Sequence, residues 1–291
     1  MPSTAALVSQ AFNGLALGSL LALVSSGLTI ILGTLGVLNF AHGALFMLGA
    51  YALYVVMQQS GSFLVGLAVG LAVMLLIGVV LERVLIRRFY DRGHEDQILV
   101  TFGVGIVVVE VVRAIFGGNS MQVPTPLWGQ GIVQIGFLFY PLYRLQLIGI
   151  AAVLLGVLYG ILYGTSIGLI VRAGIEDAGM VGILGINVRR AFLLVFAIGV
   201  ATAGLSGMLY APIVSVQPEM GQNFLVESFV VIVIGGLGSF PGAVVGGLIA
   251  GEIISITSAF DSAYSDVMLY AVMALLLVLR PQGLFGREGR V

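Results

Sequence analysis

Three short segments gather the residues of this chain whose types and spacing could do chemistry. The first is Asn39-Phe40-Ala41-His42-Gly43, preceded by Gly33 and Gly36 in a stretch, 1–81, that holds no Asp, Glu, Lys or Arg. Intramembrane polar and titratable groups are costly and are functional candidates by default. Asn39 and His42 are therefore candidates for a solute path. The plainer reading is a histidine that only bonds a nearby backbone carbonyl, because one His with no carboxylate close in sequence makes no proton relay.

The second segment, 169–190, carries Arg172, Glu176, Asp177, Met180, Leu184 and Gly185, followed by Asn187, Arg189 and Arg190. Gly185 is placed to stop a short helix beginning near Ile175. Glu176 and Asp177 then fall in its first turn, where the helix dipole favours negative charge. Met180, Ile183 and Leu184 are apolar residues on a loop facing water and need a cover, either a docked partner or the rest of the chain. The third segment is Gly235-Gly236-Leu237-Gly238-Ser239-Phe240-Pro241-Gly242, where glycine and proline interrupt an otherwise apolar stretch, 226–258. Two readings fit it. Half-helices meeting at a break at membrane depth need protein or a water-filled route around them. A tight turn between two full helices at the cytoplasmic surface needs neither. Gly235, Gly236, Gly238, Ser239, Pro241 and Gly242 are accordingly gate candidates.

What is missing narrows the chemistry further. All 12 basic residues are Arg, so no P-loop lysine is available to hold a nucleotide phosphate. There is no Cys, which removes thiolate nucleophiles and thiolate metal sites. The two histidines, His42 and His94, cannot form an HExxH zinc motif. No paired-carboxylate or triad motif marks an enzyme, and a net charge of −1 offers no footprint for nucleic acid. The sequence predicts neither catalysis nor a bound cofactor or metal.

The elements that must position these residues are membrane helices. Of 291 residues, 59% are hydrophobic and 9% charged, with a mean hydropathy of +1.15, far from the ~25% charged residues of soluble domains. About 20 apolar helical residues cross the ~30 Å hydrocarbon core. Apolar runs predict crossings near 7–33, 38–57, 62–82, 97–117, 145–168, 191–214 and 264–280, with 226–258 interrupted. This is an all-α, polytopic transmembrane helical bundle of about eight membrane segments, one of them broken or re-entrant, in a single domain over 1–291. Arginines mark cytoplasmic loops: Arg83, Arg87, Arg88 and Arg92 share one connection, Arg172, Arg189 and Arg190 another, and Arg280, Arg287 and Arg290 the tail. An odd-even count puts all three on the cytoplasmic side and the amino terminus outside. The opposite side receives 118–144, with Trp128, Tyr140 and Tyr143 as an interfacial aromatic belt. Gly156, Gly160, Gly164 and Gly168 form a ridge along one helix, suited to close packing in lipid, within one subunit or between subunits; Gly14/Gly18 and Gly66/Gly70 share the spacing. Glu110 and Arg113 are spaced to pair, while Glu227 and Glu252 are read as lying near helix ends.

In order along the chain, the 39–43 motif, the Arg172-to-Asn187 loop, the 235–242 break and the terminal Arg280-Pro281-Gln282-Gly283-Leu284-Phe285-Gly286 together resemble the LivH-type permeases of the branched-chain amino acid ABC importers. The similarity covers nearly the whole chain. It implies a multi-pass permease of the bacterial inner membrane, paired with a second homologous permease. Two ATP-binding subunits would dock on the cytoplasmic side, and an extracytoplasmic substrate-binding protein would deliver the solute. The loop matching Ile175–Gly185 would be the coupling helix on the ATPase, so ATP is used by partner subunits and not by this chain. One departure is Glu227, where family members often carry Lys or another residue. The competing class is an ion-coupled secondary transporter of a small organic solute, which usually needs an ion ligand at midplane; the spans here are nearly free of charge.

Overall fold

The computed structural model describes residues 2–90, 92–136, 138–183, 185 and 187–286, with backbone alone at 171 and 175–179. Ten α-helices appear among the described residues: α1 Thr4–Leu35, α2 His42–Ser60, α3 Phe63–Val84, α4 His94–Phe116, α5 Leu142–Gly164, α6 Ser166–Ile183, α7 Val188–Tyr210, α8 Met220–Gly235, α9 Phe240–Ser258 and α10 Ser265–Leu279. Seven of the apolar helices are long enough to cross a membrane, counting α10 with the short turn before it, and α8 is a shorter eighth. At 16 residues, α8 is roughly 24 Å long against a hydrocarbon core of about 30 Å. The interrupted stretch 226–258 is thus two separate helices, the first too short to span alone. The run near 38–57 forms α2, which is absent from the strongly apolar set because His42 at its start and Gln58, Gln59 and Ser60 at its end lower its hydropathy. Its first half, from His42 to Leu53, is largely buried in protein, so little of it has to match lipid.

Local signals end these helices where the chain must reverse. Gly61 closes α2 at φ +65°, its N–H bonding the Met57 carbonyl at 2.9 Å. Ser62 then caps α3 by accepting from the Val65 N–H. Asn187 caps α7 through the Arg190 N–H at 3.1 Å.

The chain divides into two compact units, and α1, α5 and α8 each contribute to both. In the unit formed by 27–123 and 155–225, α2, α3 and α7 make the core by backbone contact at glycine. A Cβ on Gly49 would stand 2.1 Å from the Gly204 carbonyl oxygen, and one on Gly207 would stand 1.9 Å from that of Phe46. Gly66 and Gly70 of α3 face Leu53 and Met208. Phe46 stacks on Phe224 at 4.3 Å, and Tyr210 meets Phe224 edge-on. In the unit formed by 1–26, 124–154 and 226–291, α9 lies against the first half of α1. A Cβ on Gly251 would meet Gly18 at 2.3 Å, and one on Gly247 would meet Ala22 at 2.4 Å. Leu64, Leu76 and Val80 on α3 and Leu99 and Ile115 on α4 are exposed, the surface a bilayer covers.

Several expectations are corrected. Gly156, Gly160 and Gly164 lie on α5, where an added Cβ would meet no neighbouring element within 4 Å among the described residues, whereas Gly168 belongs to α6, because the chain turns sharply at Thr165. The four therefore do not form one ridge. The 118–144 connection carries a small antiparallel hairpin, β1 Ile132–Ile135 with β2 Leu138–Pro141. Tyr140, within β2, and Tyr143, just after it, are buried and do not form an outer belt. The Tyr140 hydroxyl donates to Asn13 Oδ1 at 3.0 Å. Glu227 and Glu252 fall inside α8 and α9, away from their ends.

The glycine contacts generate a paired expectation. Gly207→Ala forces atoms apart in the core, where overpacking costs about 1–3 kcal/mol, so the apparent Tm in fluorescence-detected size exclusion should fall by several degrees. Gly156→Ala has open space and gains up to ~1 kcal/mol of helix propensity, so its Tm should hold or rise. Equal losses in both variants would contradict this account of the core.

Candidate functional site

The 39–43 motif forms the hinge between α1 and α2. Asn39 is buried; its side-chain Oδ1 accepts from the Ala41 N–H at 3.1 Å, and its carbonyl accepts from the His42 N–H at 3.2 Å. This local turn starts α2 without a side-chain cap at Ala41. Among the described residues Asn39 Nδ2 finds no acceptor, and neither does the buried Thr29 hydroxyl of α1. Leaving such a buried group unmatched costs about 1–3 kcal/mol. His42 is fully buried, and a Cβ on Gly27 would stand 3.3 Å from its Cε1, so the ring lies directly against α1. The next residue, Gly43, meets Gly221 of α8 backbone to backbone, with a Cβ on either glycine within 2.2 Å of the other's carbonyl oxygen.

Thr101 of α4 fixes this hinge from the side. Its hydroxyl oxygen accepts from the Phe40 N–H at 3.1 Å and lies 3.0 Å from the Leu38 carbonyl and 2.8 Å from the Gln97 carbonyl of its own helix. Nothing in the sequence marks Thr101, because the hinge groups it bonds are backbone atoms some sixty positions away.

The 235–242 segment is a closed turn. Gly236 and Gly238 take φ values of +103° and +76°, where only glycine sits without strain. Ser239 caps α9 by accepting from the Gly242 N–H at 3.1 Å, and Pro241 occupies the first turn, where its missing N–H costs nothing. Gly235 and Gly242 touch through their backbones. The terminal motif completes the turn: the amides of Leu284 and Phe285 donate to the Ile234 and Gly235 carbonyls, each at 2.9 Å. These are carbonyls that the end of α8 would otherwise leave open. The structure thus brings Gly235, Gly236, Gly238, Ser239, Pro241 and Gly242 together with the tail.

The second segment is helical from Ser166 to Ile183, not from Ile175 as expected, so Glu176 and Asp177 fall in the middle of α6 and not in its first turn. Their side chains lie outside the described residues, as do Leu184, Arg287 and Arg290. α6 leaves α5 through an elbow at Thr165. A Cβ on Gly168 would stand 1.8 Å from the Leu162 carbonyl oxygen, and Arg172 donates to that same carbonyl while its guanidinium lies 5.4 Å over the Tyr163 ring. Met180 and Ile183 are exposed, and Gly185, at φ +77°, bonds back to Gly182 where the helix has stopped.

Beside α6 stands a cluster that the sequence did not disclose. Gly174 abuts the Phe192 ring of α7, and Phe192 meets Tyr90 edge-on at 5.9 Å. Tyr90 donates to Glu82 Oε1 at 3.1 Å, and Arg87 grips both Glu82 oxygens, at 3.1 and 3.0 Å. Glu82 is fully buried. Burial, followed by the Glu82 charge and its hydrogen bond, pushes the Tyr90 phenol well above its ordinary range. Among the described residues, no cluster of His, Cys, Asp and Glu is placed to hold a metal ion.

Comparison with known proteins agrees with this architecture. The family model for the permease component of branched-chain amino acid transport systems matches residues 10–277. The high-affinity branched-chain amino acid transport system permease protein LivH of Escherichia coli K12 is 30% identical, over 96% of this chain and 95% of its own. LivH of Salmonella typhimurium is 31% identical over 96% and 95%, and BraD of Pseudomonas aeruginosa 29% identical over 99% and 98%. No solved structure matches significantly. With one alignment running through the hinge, the elbow and the closed turn alike, the chain belongs to the family of permease components of branched-chain amino acid transport systems.

Proposed function

We propose that this chain, a multi-pass permease subunit of an ABC importer, forms half of a conduit for branched-chain or related amino acids. The other half is a second homologous permease. Two ATP-binding subunits supply the energy, and an extracytoplasmic substrate-binding protein hands over the solute. The chain itself binds no cofactor and catalyses no reaction; ATP is consumed by its partners. In this reading the protein sits in the bacterial inner membrane with its amino terminus outside and its carboxyl terminus in the cytoplasm. The hinge residues Asn39 and His42 belong to the path, and the 235–242 turn with its tail is the cytoplasmic gate.

The observation that carries the proposal is the elbow before α6. A permease driven by a separate engine needs a lever fixed to the bundle at one end and open to a partner at the other. Gly168, Arg172 and the Leu162 carbonyl fix one end, while Met180 and Ile183 remain exposed at the other. Nucleotide then shifts the bundle to the extent that it binds one arrangement of the ATPase pair better than the other. Arg172, Glu176, Asp177, Met180, Leu184 and Gly185 are the residues assigned to this coupling.

Two tests follow. Replacing Glu176 and Asp177 together by Ala should lower ATP-driven uptake roughly tenfold, a coupling loss of about 1.4 kcal/mol, with solute capture by the external protein unchanged. Normal uptake in that variant, or uptake that follows an ion gradient and ignores ATP, would overturn the reading. Thr101→Val removes the side support of the hinge and should destabilise the protein by about 1–2 kcal/mol, read as a lower Tm. An unchanged Tm would show that Thr101 is not what holds residues 38–40.

A further inference from the structure

Between the start of α2, the second half of α4 and the first turns of α8 lies a cavity of about 150 Å³. It is smaller than the ~300–1,000 Å³ pockets that take drug-sized ligands and suits a small solute. Phe40, Ala44, Phe102, Ile106 and Leu225 give it apolar walls. Glu110 and Arg113 line it as well, and Glu219 stands beside Pro218 of the same lining. Arg113 donates to Glu110 with one terminal nitrogen and to Glu219 with the other. The three side chains are between 40% and 56% exposed, so a solute can reach them. The Arg113 hydrogen bond holds the Glu219 carboxyl below its ordinary range, keeping it ionised at neutral pH.

Accessible ion pairs add little to stability, so this triad is a poor explanation as a structural brace. Its chemistry is more specific. The guanidinium has five N–H donors in a fork and spends one on each carboxylate, leaving donors for a third. The two carboxylates accept from an ammonium group. An α-amino acid carries both groups on one carbon and brings no net charge, so its arrival leaves the charge of the cavity unchanged. A carboxylate without an amine would face two like charges. An amine without a carboxylate would leave the guanidinium donors unmatched, and a sugar would use neither.

We infer that this cavity is a transient site for a zwitterionic solute with an apolar side chain, in which Arg113 takes the carboxylate, Glu110 and Glu219 take the ammonium, and the walls from α2, α4 and α8 enclose the side chain. The inference rests on the permease reading and names the solute class at a site that Phe40 and Gly43 of the hinge also line.

The test uses the assembled permease–ATPase complex in detergent, without the external binding protein, and radiolabelled L-leucine as the probe. Unlabelled leucine should displace the label. 4-Methylpentanoate, which lacks the ammonium, and 3-methylbutylamine, which lacks the carboxylate, should each do so at least about tenfold less well. Arg113→Gln and Val109→Trp, the latter filling the cavity, should each weaken leucine binding by about tenfold or more with unchanged size-exclusion elution, and Arg113→Lys should fall between. Leu99→Ala, on the exposed face of α4, serves as the control that retains binding. Absence of leucine binding in the wild-type complex, equal binding by Arg113→Gln, or displacement by 4-methylpentanoate as strong as by leucine overturns the inference. ATP-driven uptake is measured in parallel with the external protein added. Its absence in the wild type would overturn the permease reading, while the binding arm still decides on the cavity.

Discussion

Backbone meeting backbone is the constraint on which the rest of this molecule depends. In lipid, helices gain nothing from hiding apolar side chains from one another, because the surrounding tails are just as apolar. They must gain instead from close van der Waals contact, and closeness requires residues without side chains. Gly49 with Gly204, Gly207 with Phe46 and Gly43 with Gly221 supply it in one unit, and Gly18 with Gly251 in the other. Short separations also raise the cost of any misfit, so these helices have few arrangements available to them. A protein that alternates between states benefits from such discreteness, because a well-fitted interface shifts as a whole or not at all.

The candidate segments sit where this rule is interrupted. At the hinge the chain abandons helix for Asn39 and its local turn, and a hydroxyl from another helix completes the hydrogen bonding. At 235–242 it abandons helix again, and amides from the tail complete it. Both breaks are completed by hydrogen bonds drawn from distant sequence. The elbow before α6 differs in kind: it is a steric joint in which one missing Cβ lets two helices turn on each other.

Much of this was legible in the sequence, for physical reasons that can be named. The spans followed from apolar run length, and the interruption at 235–242 from glycine and proline, because both signals are local; whether that interruption was a break at membrane depth or a turn between two helices was not legible. The motif residues at 39–43 and the stop at Gly185 were legible in the same way. What escaped depended on three-dimensional juxtaposition. The start of α6 was placed too late because apolar residues from 145 to 168 read as one span, with nothing in composition to mark a reversal at Thr165. The glycine spacing from 156 to 168 looked uniform, but spacing does not tell which glycines face a neighbour. Thr101, Glu82 and Glu219 were invisible because their partners lie on other elements or, for Glu82, across an irregular turn. Even the anticipated Glu110–Arg113 pair gave no hint of its third member.

The cover on the end of α8 bears on how the protein is made. The carbonyls of Ile234 and Gly235 are exposed as soon as α8 and α9 emerge from the ribosome, but the amides that satisfy them belong to Leu284 and Phe285, which are translated after α10. Until then that end of the hairpin can be solvated or held by the insertion machinery, but it cannot adopt its final form. Biosynthesis therefore keeps this face of the nascent subunit unsealed until the last helix has been threaded, and premature termination leaves an unfinished seam as well as a shorter chain.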